Sequence, residues 1–331
     1  MFYAYILLHS SDIANTLPYE LLILFFYAMV MKSRSLEKGY SPMKFAYLIM
    51  AHNRFDILKL LLQDLDDARN DIFLHIDRKA EKYDEQELRM CIHSANLIIL
   101  KPTPVYWGDY SQIRCILNLL KVSTQYAHHD FYHLLAGVEF PIKSQEYIYH
   151  FFEANQAYEF VGFNDDSKEY LERLKYFYFF RKYARYRNLW ERFWGGIGYC
   201  LVPLQKFLGI NRIKHCTTIF KKGYANWSIS HSLACFLLQH EAEIRKRYRY
   251  TFCTDEVFIQ TLVYQSDFYG KVYDPSDEYH STMNLNTWED PRNQYHMKDL
   301  PMLLKSDRLF AKKFDGDDAI ELITKLKEQR L

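Results

Sequence analysis

Residues 45–77, FAYLIMAHNRFDILKLLLQDLDDARNDIFLHID, decide the fold class of this 331-residue chain. FAYLIM is an unbroken hydrophobic run of strand length, and Asp56 to Leu65 carries apolar residues at helical spacing. IFLHID (72–77) is a second run typical of a buried strand. A strand, a helix and a strand in immediate succession predict a parallel βαβ unit, and therefore an α/β fold.

The same alternation continues through the first half of the chain. A third strand is predicted over NLIIL (96–100), then a helix over 112–125, a strand over FYHLLAG (131–137) and a helix over 145–152. Strands and helices in this order indicate a parallel nucleotide-binding sheet with flanking helices.

The second half is more mixed. Residues 168–198 are rich in Tyr, Phe and Arg and predict either a helix or a mobile segment over a site. A strand is predicted over YANWSIS (224–230), a helix over 233–247 and a further helix over 255–263. With no repeat and no Pro- or Gly-rich linker inside 43–315, we expect one domain with two lobes there, followed by a C-terminal helix in 316–331.

Residues 1–42 form an N-terminal extension that contains the apolar run Leu21–Met31. About 20 apolar residues are needed to span a bilayer, so this run predicts a peripheral membrane helix, with association through residues 17–34. The cations after the run favour the cytoplasmic side for the following domain. The alternative is that the extension is not part of the working protein.

Composition excludes some classes of partner. The formal net charge of +1 gives no field that would attract nucleic acid. The six cysteines stand singly, which predicts neither a zinc knuckle nor a disulfide scaffold and favours a reducing compartment.

Parallel sheets bind their ligands at the carboxyl ends of their strands. These positions are Met50–Asn53, His75–Arg78 and the loop that reaches Trp107 and Gly108. A nucleotide-sized ligand at this edge is the simplest expectation.

The strongest candidate for acid–base chemistry is Thr254-Asp255-Glu256, at a predicted helix start. Inverting sugar transfer needs one carboxylate to accept the proton of the acceptor hydroxyl. The competing interpretation is that Thr254 or Asp255 caps the helix and that both carboxylates complement its dipole. Arg292 and the basic stretch 306–315 supply cations for a diphosphate, unless they are only a solvated surface.

Metal-dependent transferases commonly use Asp-x-Asp, and the chain holds two matches. Asp64-Leu65-Asp66 ends a predicted helix and Asp315-Gly316-Asp317 lies near the C-terminus, so we interpret both as accidental. HExxH, P-loop, GxGxxG and GxSxG motifs are absent from the sequence, which removes the protease, NTPase, dehydrogenase and α/β-hydrolase interpretations.

Six motifs between residues 45 and 315 resemble those of a known family in order and spacing. They are YLIMAHN (47–53), FLHIDRK (73–79), VYWGDYS (105–111), YHLLAGVEFPIKS (132–144), TDE (254–256) and LFAKKFD (309–315). The chain thereby resembles the core-2/I-branching N-acetylglucosaminyltransferase and peptide O-xylosyltransferase family (glycosyltransferase family 14).

The resemblance implies a GT-A-like fold with a smaller acceptor-side lobe. It also implies inverting, metal-independent transfer of N-acetylglucosamine or xylose from a UDP-sugar to a glycan or polysaccharide hydroxyl, with no cofactor. Glu256 would be the base, and Arg173 and Trp288 would contact the acceptor. The residues that would bind the UDP-sugar are Met50, Ala51, His52, Asp77, Arg78, Lys79, Trp107, Arg292 and Lys313.

Two departures from the animal members matter. Cys253-Thr254 precedes Asp255 where Ser-Pro is common, and the cysteines do not follow the family's disulfide pattern. The second departure suggests a bacterial-type relative that acts on a cell-surface or secreted polysaccharide precursor from the cytoplasmic side, at the inner face of the membrane.

Two other functions compete with the glycosyltransferase interpretation. A glycoside hydrolase would need two carboxylates facing each other across the bond, whereas adjacent helical residues such as Asp255 and Glu256 point about 100° apart. A non-catalytic carbohydrate-binding or scaffold protein would be favoured if the base or the basic pair were missing, and Glu256, Lys313 and Arg292 are all present.

Overall fold

The computed structural model describes residues 42–164, 169–183, 188–286 and 293–330. The chain divides into the units Met1–Pro42 and Met43–Leu331, and only the second is considered below. Three predictions, the apolar run at 21–31, Trp288 and Arg292, lie outside the described residues. Among the residues that are described, no helix is both long and apolar enough to cross a membrane.

The described strands and helices alternate along the first half of the chain, as the sequence predicted. The strands are β1 (Phe45–Ala51), β2 (Asn70–Ile76), β3 (Asn96–Ile99), β4 (Phe131–Ala136), β5 (Glu139–Pro141), β6 (Phe160–Val161), β7 (Trp227–Ser230), β8 (Asn284–Asn286) and β9 (Phe310–Lys312). The helices are α1 (Phe55–Asp64), α2 (Glu85–Met90), α3 (Ser111–Tyr126), α4 (Gln145–Ala154), α5 (Glu172–Lys175), α6 (Leu189–Phe207), α7 (His231–Gln239), α8 (Glu241–Tyr248), α9 (Phe258–Tyr264), α10 (Glu278–Thr282), α11 (Leu300–Lys305) and α12 (Ala319–Gln329).

The main sheet has six strands in the order β3-β2-β1-β4-β7-β6. The four strands β3, β2, β1 and β4 run parallel, whereas β7 is antiparallel to both β4 and β6. The prediction of an α/β fold with a mostly parallel sheet and flanking helices is confirmed. A second sheet of three strands, β5-β9-β8, holds β9 antiparallel to β5 and parallel to β8.

Strand β1 lies at the centre because both of its faces are buried. Phe45, Tyr47 and Ile49 belong to one hydrophobic cluster, and Ala46 and Leu48 belong to a second cluster on the opposite face. The first cluster also takes apolar residues from α1, α4 and α12, and the second from α3, α7 and α9. Period-two alternation between two apolar layers is what a central strand of a doubly covered sheet requires.

The structure corrects the predicted helices of the second half. The single helix over 233–247 is two helices, α7 and α8, separated at His240. Residues 168–198 hold no single helix in their described part. Short helical turns at Glu169–Lys175 and Arg181–Tyr183 precede α6. The prediction that a helix begins at Thr254 is wrong, because residues 255–257 form a turn and α9 begins at Phe258.

Candidate active site

A pocket of about 370 Å³ opens at the carboxyl edge of the main sheet. Met50 at the end of β1 pairs with His75 of β2 on one side and Ala136 of β4 on the other, so these three strands end at one level. The loop after β3, the start of α3, the turn at 255–257 and β9 close the remaining sides. Ligands of open α/β sheets bind at this edge.

Six of the nine residues predicted to bind the UDP-sugar line this pocket. They are Met50, Ala51, His52, Asp77, Lys79 and Trp107. Arg78 is exposed and does not line the pocket. Lys313 does not line the pocket either, and Arg292 lies outside the described residues.

Lys79 connects the end of β2 to the loop after β3. Its ammonium group pairs with a carboxylate oxygen of Asp77 and donates to the carbonyl of Val105. It also lies 4.6 Å from the ring centre of Tyr106, within cation–π range. Asp77 accepts the Lys79 backbone N–H at 2.8 Å. The I-D-R-K turn therefore builds one pocket wall and places a partly buried cation in it.

His75 is buried and lines the pocket. Its Nε2 accepts the backbone N–H of Thr103 at 3.1 Å, which leaves the ring proton on Nδ1. Burial lowers the pKa of His75 below its usual value, in keeping with that state.

The W-G-x-x-S motif shapes the loop that carries Trp107. The hydroxyl of Ser111 accepts the backbone N–H of Tyr106 at 2.9 Å, so the loop folds back onto the start of α3. Gly108 has φ +68°, and an added Cβ would lie 2.5 Å from the Phe252 ring. The Gly108 carbonyl accepts the Cys253 backbone N–H at 3.1 Å. The motif thus joins the nucleotide side of the pocket to the Thr254-Asp255-Glu256 turn.

A buried carboxylate lies behind the pocket. Glu139 of β5 is fully buried and accepts hydrogen bonds from Asn226, from Asn284 and from the Ala136 backbone N–H. Burial raises its pKa, and the charge of Lys312 acts against that rise. Lys312 donates from Nζ to Asn226 Oδ1 at 2.9 Å. The network holds the Lys312 side chain against the pocket.

Lys312, which the sequence analysis did not single out, lines the pocket in place of the predicted Lys313. Lys312 is opposite Glu139 in the pairing of β9 with β5. Desolvation lowers the pKa of Lys312. Strand β9 ends at Lys312, so strand alternation does not extend to Lys313, and the sequence carried no signal that would favour Lys312.

Asp255 lines the pocket, whereas its neighbour Glu256 is not among the lining residues. Desolvation, with a smaller contribution from the neighbouring charge of Glu256, raises the pKa of Asp255 to about 6. Gln112 of α3 donates from Nε2 to Asp255 Oδ2 at 3.1 Å. Neither Gln112 nor Asn226 was predicted as a site residue, since a lone amide carries no sequence signal.

Glu256 lies beside Asp255 and accepts a hydrogen bond from Arg173 Nη1 at 3.0 Å. The interpretation of this turn as a helix cap is wrong. The residue before α9 is Val257, and its N-terminus receives no side-chain hydrogen bond. The Glu256 carboxylate is therefore available for a role other than capping.

Both Asp-x-Asp matches have structural roles. Asp64 is buried and forms ion pairs with Arg330 and Lys327. Asp66 accepts three backbone N–H groups from residues 93–95. Asp315 lies 3.7 Å from the guanidinium of Arg54. In the described part of the chain, no group of three or more His, Cys, Asp and Glu is arranged to hold a metal ion.

A family model for the Core-2/I-Branching enzyme matches residues 45–303. The chain belongs to the core-2/I-branching family. It is a glycosyltransferase. No curated protein matches the chain. Among solved structures, mouse xyloside xylosyltransferase 1 in its apo form is similar at 10% identity, covering 82% of this chain and 98% of that chain with a TM-score of 0.35.

In this core-2/I-branching glycosyltransferase, the residue range matched by the family model includes the pocket-lining residues of β1, β2, β4 and the 255–257 turn. Lys312 follows the matched range and reaches the pocket through the second sheet. The three-stranded sheet therefore completes a pocket that the main sheet begins.

Proposed function

We propose that this glycosyltransferase moves N-acetylglucosamine or xylose from a UDP-sugar to a hydroxyl of a glycan or polysaccharide, with inversion and without a metal. One observation carries the proposal. One pocket at the carboxyl edge of the main sheet is lined by Asp255, the neighbour of Glu256, and by the cations Lys79 and Lys312.

The donor would occupy the sheet edge. Met50, Ala51 and Asp77 line the deep part of the pocket, and Trp107, half exposed at the rim, offers an aromatic face to a ring. This arrangement suits a nucleotide whose sugar points toward the 255–257 turn.

Glu256 would act as general base. Its carboxylate takes the proton of the acceptor hydroxyl while that oxygen bonds to the anomeric carbon. The bond between the anomeric carbon and the diphosphate oxygen breaks, and its electron pair leaves with UDP. One displacement of this kind inverts the configuration at that carbon.

Fixed cations would hold the charge that develops on the leaving UDP. Lys312 and Lys79 line the pocket, and Lys313 and Arg292 remain predicted partners. The Asp64, Asp66 and Asp315 carboxylates already have protein partners. We therefore propose that ammonium and guanidinium groups neutralise the diphosphate and that no metal is needed.

The cellular setting is part of the same proposal. We expect the enzyme to act in the cytoplasm at the inner face of the membrane, with residues 17–34 as a peripheral anchor. Its partners are the UDP-sugar and the glycan or polysaccharide acceptor, and nucleic acid is not among them, since the net charge is +1.

The test is a panel of UDP-sugars with and without EDTA, read as UDP release. We expect release with UDP-N-acetylglucosamine or UDP-xylose that EDTA leaves unchanged. Loss of release in EDTA, restored by Mn²⁺, would contradict the metal-free mechanism. Tight UDP-sugar binding with no turnover on any acceptor would favour the non-catalytic alternative.

A further inference from the structure

Helix α6 turns an apolar face outward. Leu189, Phe193 and Phe207 are 83%, 57% and 89% exposed, and Trp190 and Tyr199 are exposed beside them. Leu189, Phe193, Cys200, Leu204 and Phe207 follow helical spacing, so they form one stripe along the outer side of the helix. A surface helix of a monomeric soluble protein normally shows the opposite polarity.

The inner face of α6 is held by backbone contacts. An added Cβ on Gly195 would lie 2.8 Å from the carbonyl of Tyr183, and one on Gly198 would lie 2.9 Å from that of Phe179. Gln205 is buried and exchanges two hydrogen bonds with the backbone of Phe177. These contacts fix the rotation of the helix, so the outward direction of the apolar stripe is built into the fold.

The exposed charged side chains on α6 itself have one sign. The exposed charged residues of α6 are Arg192 and Lys206, both cations, while Glu191 is only half exposed. Residues 169–214 contain ten Lys and Arg against three Glu and no Asp, although the whole chain has a net charge of only +1. In sequence, the segment that contains α6 therefore has seven more cations than anions, although Lys175 and Lys206 pair with Glu172 and Arg173 pairs with Glu256.

We propose that the outward face of α6 binds the surface of an anionic lipid bilayer. An apolar stripe with Trp and Phe, bordered by Lys and Arg, is typical of helices that lie in the membrane interface. Anionic headgroups attract the basic segment, and the apolar side chains enter the headgroup boundary. The helix lies on the membrane and does not span it, consistent with the absence of a membrane-spanning helix among the described residues.

This site is separate from the apolar run at 21–31, and the inference does not rest on the proposed function. Two other occupants of the stripe, the 21–31 run and a second copy of the chain, are distinguished by the test.

The experiment is co-sedimentation of the full chain with vesicles of phosphatidylcholine containing roughly one-third phosphatidylglycerol. The test variant is Phe193→Ser/Phe207→Ser. The control is Met90→Ser/Tyr126→Ser, which removes two apolar side chains that are 66% and 50% exposed elsewhere. Because all four side chains are exposed, circular dichroism should show unchanged folding.

We expect the wild type and the control to bind alike, and the α6 variant to bind at least about tenfold more weakly. Arg192→Glu should weaken binding to anionic vesicles and leave the weak binding to pure phosphatidylcholine unchanged. The proposal is overturned if the wild type does not bind, or if the α6 variant binds as well as the wild type, which would place membrane binding on the 21–31 run. It is also overturned if sedimentation velocity shows that the α6 substitutions dissociate a dimer without changing vesicle binding.

Discussion

Arg173 of α5 donates from Nη1 to Glu256 Oε2 across 3.0 Å. The family resemblance implied that both residues act on the acceptor, Glu256 as the base for its hydroxyl and Arg173 as a contact. Their side chains are 32% and 37% exposed, so the pair adds little to folding stability. We infer that its role is to orient the Glu256 carboxylate where an acceptor can reach it.

Replacing Glu256 tests the base. Glu256→Gln keeps the size and the hydrogen bond from Arg173 but cannot accept a proton. We expect the turnover number to fall about 10²–10⁴-fold, the usual contribution of a general base. UDP affinity, measured by calorimetry, should barely change.

Asp255 is the next candidate if that prediction fails. Near wild-type transfer by a folded Glu256→Gln variant would mean that Glu256 is not the base. Asp255→Asn would then have to show the large loss of turnover instead.

Removing Arg173 tests its positioning role. Arg173→Ala takes away the charge-assisted hydrogen bond to Glu256, so we expect kcat/KM for the acceptor to fall about tenfold to hundredfold. Arg173→Lys should recover part of the loss, and UDP affinity should stay constant. Arg89→Ala is the control, since Arg89 forms an exposed ion pair with Glu85 on α2. Equal losses in both variants would contradict a role at the site.

Lys312 at the end of β9 and Lys313, the residue after it, lead to different predictions for UDP binding. Lys312→Met removes the cation that lines the pocket, and we expect UDP binding to weaken about 10–100-fold. UDP binding is measured by calorimetry in EDTA. Lys312→Arg is the control, because it keeps a positive charge beside Asn226 and Glu139. If Lys313→Met alone weakens UDP binding, the sequence assignment of Lys313 is right and Lys312 only neutralises Glu139.

The raised pKa of Asp255 predicts a pH dependence of stability. Between about pH 4 and pH 6 the folded state keeps a proton on Asp255 that the unfolded chain has lost, so stability falls as pH rises through this window. Asp255→Asn removes the burial cost of the charge. We expect the variant to gain about 1–3 kcal/mol over the wild type at pH 8 and nothing at pH 4, by chemical denaturation. Parallel pH curves for the two proteins would contradict this.

Gly108 should resist substitution for two separable reasons. Gly108→Ala meets both the strain of φ +68° and the Phe252 ring, so we expect a loss of about 2–4 kcal/mol in the free energy of unfolding. Gly209→Ala has the same φ in open space and should cost about 1–2 kcal/mol. Gly270→Ala has neither feature and should be nearly neutral. Equal losses at Gly108 and Gly209 would show that the Phe252 contact is unimportant.

The local pattern was sufficient for the parallel half of the fold. The predicted strands and helices between residues 45 and 154 match β1 to α4 within a few residues, because period-two and helical spacing are written in neighbouring side chains. The helices of the second half of the chain could not be predicted as well from the local pattern. The turn at 255–257 is held by a hydrogen bond from the Gly223 N–H to the Glu256 carbonyl, a contact that no local window contains.

The sequence by itself therefore determined the α/β class and the strand ends that form the pocket, and it singled out Asp255, which lines that pocket. Only the tertiary structure decided that Lys312 faces the pocket, that Arg173 holds Glu256 and that α6 presents its apolar side outward. The physical reason is distance along the chain. Lys312 reaches the pocket through Asn226 and Glu139, and Arg173 is 83 residues from Glu256, so each arrangement follows from packing between remote segments.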